Sequence, residues 1–245
     1  MLTNAIIEKA EQGEKALGLD MSQPSGELVE LAGRMGLDYV SFDGQHAPHP
    51  PHVIEDMCRI ASGCGLTTVS RIADGQESTI LSSLDRGINV IVVPNLQTRA
   101  EAEALVKYSF YAPLGLRSAS SFRISLQREQ RDRPQLYADV NATTLVVPQL
   151  ESIIAVENLD EILTVDGIDY FAGGLQDMAQ SLGLPGQANH PSVQEAYARA
   201  GEKISAAGKH WFGDVTESVP VFMYLRDGIA DLLQKHGREP HLAWD

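Results

Sequence analysis

Thr143-Thr144-Leu145-Val146-Val147-Pro148-Gln149-Leu150 is a β-branched, apolar run, and the residue that follows it is Glu151. A second run, Ile168-Asp169-Tyr170-Phe171-Ala172-Gly173, is followed shortly by Asp177. Runs that are apolar throughout, rather than alternating, read as strands covered on both faces, which is the habit of parallel sheets. Neighbouring strands lie roughly 4.8 Å apart. Acids at the carboxyl ends of two such strands can therefore share one hard cation such as Mg²⁺, held through carboxylate oxygens at about 2.0–2.1 Å.

Working outward, similar runs lie at 16–20, 39–43, 67–72, 89–94, 210–215 and 220–225, which with 143–150 and 169–173 makes eight. Helix-period segments fall between most of them, at 25–35, 52–62, 77–85, 99–108, 153–163 and 192–206. Strand and helix in repetition require parallel strands with crossovers, and eight such units in a chain of 245 residues predict an α/β fold, a (β/α)8 TIM barrel spanning 1–245 as a single domain. A doubly wound open sheet competes, but no Gly-x-Gly-x-x-Gly follows the first strand. Two irregularities are expected. The stretch 110–142, between strands 4 and 5, is a long excursion of the kind that serves function or acts as a lid. The connection between strands 7 and 8, residues 216–219, is too short for a helix.

Composition narrows the partners. Thirty-three acidic against 19 basic residues give a formal charge of −14, and no Lys/Arg run supplies the basic face that a nucleic acid or an anionic membrane would need. The amino terminus carries charge too early for a signal peptide, and no apolar stretch is long enough to span a bilayer, so a soluble cytoplasmic protein is expected. Cys58 and Cys64 form neither a zinc knuckle nor a disulfide framework and are expected to be reduced.

In a barrel, catalytic groups sit at the carboxyl ends of strands. Asp43 and His46 follow the second strand, Arg71 is late in the third, Glu151 follows the fifth and Asp177 the sixth. Taken singly, each has a plainer reading, as a helix cap, an ion-pair partner or a loop histidine. It is their coincidence at one end of the barrel that argues for a site. A rival zinc site at His46, His49 and His52 is weakened by Pro48, Pro50 and Pro51, which keep the segment extended or turned. A Schiff-base aldolase would need a lysine on a strand, yet Lys9, Lys15, Lys107, Lys203, Lys209 and Lys235 fall on helices or before strands. Carbon–carbon chemistry beside a ketone would then call for a metal. Gly173 and Gly174 let the backbone approach a ligand, and the helix that starts at Leu175 presents N–H groups suited to a carboxylate.

Together these motifs resemble the HpcH/HpaI aldolase/citrate lyase family, metal-dependent class II pyruvate aldolases of the phosphoenolpyruvate/pyruvate-binding barrel superfamily. The resemblance runs from about residue 16 to 233. It rests on Ser41-Phe42-Asp43-Gly44-Gln45-His46, Ser70-Arg71-Ile72, Leu84-Asp85-Arg86-Gly87, Val92-Val93-Pro94, Ala112-Pro113-Leu114-Gly115-Leu116-Arg117, Pro148-Gln149-Leu150-Glu151 and Gly173-Gly174-Leu175-Gln176-Asp177-Met178-Ala179. It implies that Glu151 and Asp177 bind a divalent metal (Mg²⁺, Mn²⁺ or Co²⁺) and that amides around Gly174 and Leu175 hold the carboxylate of a 2-oxo acid. It further implies that Arg71 faces the developing enolate oxygen, that His46, oriented by Asp43, moves the aldol proton, and that Gln149 lines the metal site. The activity implied is reversible aldol cleavage of a 4-hydroxy-2-oxo acid into pyruvate, or a related 2-oxo acid, and an aldehyde. Family members form hexamers, trimers of dimers that exchange carboxyl-terminal helices, and residues 228–236 would supply that helix here. Gln45 and Ala47 around His46, Gly173-Gly174 and Ser118 depart from common family residues, so the pocket wall differs.

The same electron sink would serve an oxaloacetate-type decarboxylase or a malyl- or citramalyl-thioester lyase. A coenzyme A thioester would want basic residues near the mouth, and Arg123, Arg128, Arg131 and Arg133 lie in the excursion. A barrel that binds a 2-oxo acid without turnover is the alternative from another class.

Overall fold

The computed structural model describes residues 3–47, 49–119 and 132–241. In chain order they form α1 (Ala5–Glu11), β1 (Ala16–Met21), α2 (Gly26–Met35), β2 (Tyr39–Asp43), α3 (Pro51–Gly63), β3 (Thr67–Arg71), α4 (Glu77–Arg86), β4 (Val90–Val93), α5 (Arg99–Ser109) and α6 (Arg133–Thr143). Then come β5 (Leu145–Leu150), α7 (Ile153–Glu157), α8 (Leu159–Ile162), β6 (Tyr170–Gly173), α9 (Leu175–Ser181), α10 (Pro191–Ala206), β7 (His210–Trp211), α11 (Phe212–Val215), β8 (Thr216–Pro220) and α12 (Val221–Lys235). All the strand pairings are parallel, in the order β7-β6-β5-β4-β3-β2-β1-β8, and the sheet curls into a TIM-like barrel. Among the described residues no ladder joins β7 to β8.

The strands divide the apolar residues between two layers. Ala16, Tyr39, Val69, Val90 and Val147 point inward and fill the barrel, while Met21, Val40, Phe42, Ile91, Val146 and Phe171 point outward under the helices. That is the period-two alternation of a strand, here apolar on both sides because both sides are covered. Each fully buried aliphatic or aromatic side chain contributes roughly 1.5–3 kcal/mol, so this double layer supplies the main driving force. Helix ends follow local chemistry. Thr98 and Glu101 form a capping box at the start of α5, and Gly36 ends α2 at φ 87°, a left-handed conformation that glycine adopts without steric cost.

α1 was not among the helix-period segments, and it closes the bottom of the barrel. Ile6 is fully buried in the interior cluster, the Ala5 amide donates to Thr67 Oγ1 at 2.8 Å, and Asn4 Nδ2 donates to the Thr143 carbonyl at 2.9 Å.

The carboxyl-terminal part corrects the sequence reading. The last strand is Thr216–Pro220, registered Ala16↔Thr216 to Asp20↔Pro220 on β1, whereas 216–219 was expected to be a link and 220–225 the strand. The run 220–225 instead opens α12, which starts at Val221 and not near 228. Short apolar runs do not by themselves distinguish strand from helix. The exposed polar positions Glu217 and Ser218 hid the true strand. The connection between strands 7 and 8 is short as expected, but it lies at 212–215 rather than 216–219, and its four residues form the helix α11. The centre of the long excursion, with Arg123, Arg128 and Arg131, lies outside the described residues. Its flanks are tied to the barrel: the buried Arg117 donates to Asp85 at 2.7 Å, and Tyr111 stacks on Tyr137 at 4.2 Å. Among the described residues no helix is long and apolar enough to cross a membrane.

Candidate active site

Strand register assembles the carboxyl mouth. β5 and β6 pair Gln149↔Ala172 and Leu150↔Gly173, so Glu151 and Gly174 come next, side by side. A Cβ built on Gly174 would lie 2.7 Å from Glu151 Oε1 and 3.2 Å from Gln149 Nε2, which explains why a glycine stands there. Asp177 follows in the first turn of α9, exposed at the rim. Across the mouth, Asp43 pairs with Arg71 in the β2–β3 register.

Glu151 is 3% exposed, and its Oε2 accepts a hydrogen bond from the Asn95 amide at 3.0 Å. Burial pushes its carboxyl above the usual range, as does the charge of Asp177, while the Asn95 amide, Arg71 and His46 pull the other way. Asp177, the guanidinium and the imidazole are thus each close enough to act electrostatically on Glu151. Gln149 is buried, its Nε2 donates to the Gly173 carbonyl at 3.3 Å, and among the described residues its Oε1 has no hydrogen-bond partner.

Arg71 grips Asp43 at two points, Nε to Oδ1 at 3.1 Å and a terminal nitrogen to Oδ2 at 2.6 Å. The Asp43 carboxylate also accepts from the backbone amides of Gln45 at 3.1 Å and His46 at 3.3 Å. Burial opposes its ionisation, but the Arg71 hydrogen bonds and charge, with those two amides, hold its carboxyl below the usual range. The expected partner of Asp43 was the His46 imidazole. The bonds formed are to the His46 backbone and to Arg71, so Asp43 shapes the loop that carries the exposed His46 and orients the guanidinium.

The histidines of this loop do not converge. The His49 ring is turned inward against Phe42, where burial lowers its pKa, whereas His52 is exposed. Among the described residues no group of three His, Cys, Asp or Glu side chains could hold a metal, which leaves zinc binding at His46, His49 and His52 without support. None of the lysines lies on a strand.

Two contributors escaped the sequence reading. Asn95 takes a left-handed backbone, φ 55°, and so aims its amide at Glu151. Asparagine is among the few residues that tolerate this conformation, and its place just after Val92-Val93-Pro94 was the available signal. The other is Asp20, at the end of β1. A cavity of about 530 Å³ opens between the loops after β3 and β4, but only Asn95 of this constellation borders it.

Acids, an arginine and a histidine lie at the carboxyl mouth of a parallel barrel, the end where barrel enzymes carry their catalytic groups, and no lysine lies on a strand. Comparison with known proteins makes the class specific. The HpcH/HpaI aldolase/citrate lyase family model matches residues 19–222, and the chain belongs to that family of lyases. It is 34% identical over 211 residues to a 2-keto-3-deoxy-L-rhamnonate aldolase from Escherichia coli O17:K52:H18, covering 85% of this chain and 78% of that protein. In fold it is similar to an HpcH/HpaI aldolase from Desulfitobacterium hafniense DCB-2, with TM-score 0.86, 21% identity and 97% and 98% of the two chains covered. It is also similar to an HpcH/HpaI aldolase/citrate lyase family protein from Burkholderia cenocepacia J2315, with TM-score 0.84, 24% identity and coverage of 95% and 99%.

Proposed function

We propose that this aldolase-family lyase cleaves and forms 4-hydroxy-2-oxo acids, with pyruvate or a close 2-oxo acid as one partner and an aldehyde as the other, using a divalent ion at Glu151 and Asp177. The observation that carries the reading is the buried Glu151, which has one backbone donor on one oxygen, the glycine-sized gap of Gly174 beside the other, and Asp177 within electrostatic reach. The donors are carboxylate oxygens only, which suits Mg²⁺ or Mn²⁺ better than a softer ion. Two protein ligands leave the other positions to water and substrate, as Mg²⁺ sites commonly do.

When bound, the ion would polarise the 2-oxo carbonyl. The remaining roles belong to the chain. Amides at the Gly174–Leu175 helix start would bind the substrate carboxylate, with Gly173 and Gly174 permitting close approach. Arg71, held by Asp43, would stabilise the oxygen on which negative charge grows, and a fixed cation is most effective where charge develops. His46, at the rim, would take the proton from the 4-hydroxyl in cleavage and return it in synthesis. Gln149 would fix the wall behind Glu151. The exposed apolar side chains of α12, among them Tyr224 at 67% and Leu225 at 61%, support burial of that helix against another copy of the chain, in keeping with an exchanged helix and a hexamer.

The test is proton exchange at the pyruvate methyl group, followed by NMR in D₂O with metal-stripped protein before and after adding Mg²⁺, Mn²⁺ or Co²⁺, then aldol formation with a panel of aldehydes. Exchange that needs the ion is expected; exchange that proceeds equally without it defeats the metal role, and none with any ion defeats the function. Gly174→Ala is expected to weaken Mn²⁺ affinity by about 10–100-fold, the size of a disturbed ligand shell, because the new methyl displaces Glu151. Titration calorimetry reads this, and an unchanged affinity would show that the carboxylate does not need that gap.

A further inference from the structure

Asp20 stands at the carboxyl end of β1, and strand alternation decides where it points. Ala16 belongs to the cluster filling the barrel, and the space beside Gly18 is taken by the Tyr39 ring, 2.3 Å from where a Cβ would be. Leu19 and Met21, out of phase with these, pack in the outer layer. Asp20 shares the inward phase of Ala16 and Gly18, so its carboxylate opens into the mouth. There Oδ1 accepts a hydrogen bond from Ser41 Oγ at 3.2 Å, and its charge acts on Arg71 and Asp43. Arg71 is already committed to Asp43 at two points, and among the described residues Asp20 forms no ion pair of its own. Burial raises its carboxyl above the usual range and the charge of Asp43 adds to this, while the Ser41 hydroxyl, the charge of Arg71 and the Met21 amide pull the other way. Three carboxylates, those of Asp20, Asp43 and Glu151, therefore act on one guanidinium, and Asp177 acts on Glu151. Glu151 and Asp177 are assigned to the ion and Asp43 to Arg71, which leaves Asp20 with lone pairs open to whatever enters the mouth.

We propose that Asp20 selects the acceptor aldehyde: it accepts hydrogen bonds from the hydroxyl groups of a neutral hydroxyaldehyde and repels acceptors that carry a carboxylate. The inference rests on the aldol reading above and adds a substrate class to it. A like charge in the acceptor would meet an acid that forms no direct ion pair among the described residues, since Arg71 is bonded to Asp43, and such a contact at a protein surface amounts to about tenfold or more in relative rate.

Glycolaldehyde and glyoxylate are nearly the same size and differ in charge, so the ratio of their kcat/KM values, at saturating pyruvate and Mg²⁺, isolates the effect. The parent protein should prefer glycolaldehyde, and that preference should fall by about tenfold in both Asp20→Asn, which keeps an oxygen for Ser41, and Asp20→Ser. A parent that prefers glyoxylate, or a ratio within about twofold of the parent's in whichever variant is soluble, overturns the proposal. Exchange of pyruvate methyl protons by the parent, measured without acceptor, separates the two levels. Its absence brings down the aldol reading, whereas exchange with an unmoved ratio brings down only the role of Asp20.

Discussion

Exchanging Glu151 for glutamine is expected to lower kcat/KM for the aldol reaction by roughly a thousandfold, since a Lewis acid at the carbonyl supplies several kcal/mol of transition-state stabilisation. The side chain is buried, and the glutamine oxygen can still accept from the Asn95 amide, so the fold should survive while the charge that holds the ion is lost. Two measurements separate this from general damage. Mn²⁺ should raise the Tm of the parent protein, as any ligand of the native state does, and should leave that of Glu151→Gln almost unmoved. A variant that binds Mn²⁺ as tightly as the parent would remove Glu151 from the ligand set.

Arg71→Lys is expected to cost about a hundredfold, and mostly in kcat. The positive charge is retained, but the planar fork that meets both oxygens of Asp43 is not, and a lysine ammonium cannot reproduce a two-point pair. The guanidinium would act where charge accumulates on the way to the transition state, and loss of one such donor is typically felt at 10²–10³-fold. Rates over a range of pyruvate concentrations distinguish this from a binding role: a rise in KM with kcat kept would make Arg71 a ground-state anchor instead.

What could be read from the chain alone followed from how directly a residue's type reports its surroundings. The strands 39–43, 67–72 and 89–94 announced themselves because apolar, β-branched runs between turn residues have few other uses, and they agree closely with β2, β3 and β4. Glu151 and Gly174 fell beside each other because strand ends and register alone bring them together. The tail was misread for the opposite reason: 220–225 is apolar and short, equally at home in a strand or at the start of a helix, and only its tertiary setting decides. Asn95 contributes a backbone amide, a group every residue but proline has, so its identity carried little warning beyond tolerance of a positive φ. For Asp43 the residue was evident but its bonding was not, because the partner is chosen by strand register with Arg71 as well as by nearness in sequence to His46. Asp20 was hidden by position, as the closing residue of an apolar run whose inward phase becomes visible only once Tyr39 is seen filling the space of Gly18.

The unjoined edges of β7 and β8 give the molecule a property that a fully bonded ring would lack. Its staves form a strip whose two outermost members are also near neighbours along the polypeptide, so a four-residue clasp, Phe212–Val215, does by covalent connection what backbone pairing does elsewhere. Loosening at that seam would be felt first by β6, whose end carries Gly173 and Gly174, and by β1, whose end carries Asp20, while the β2–β3 joint with Asp43 and Arg71 lies further in.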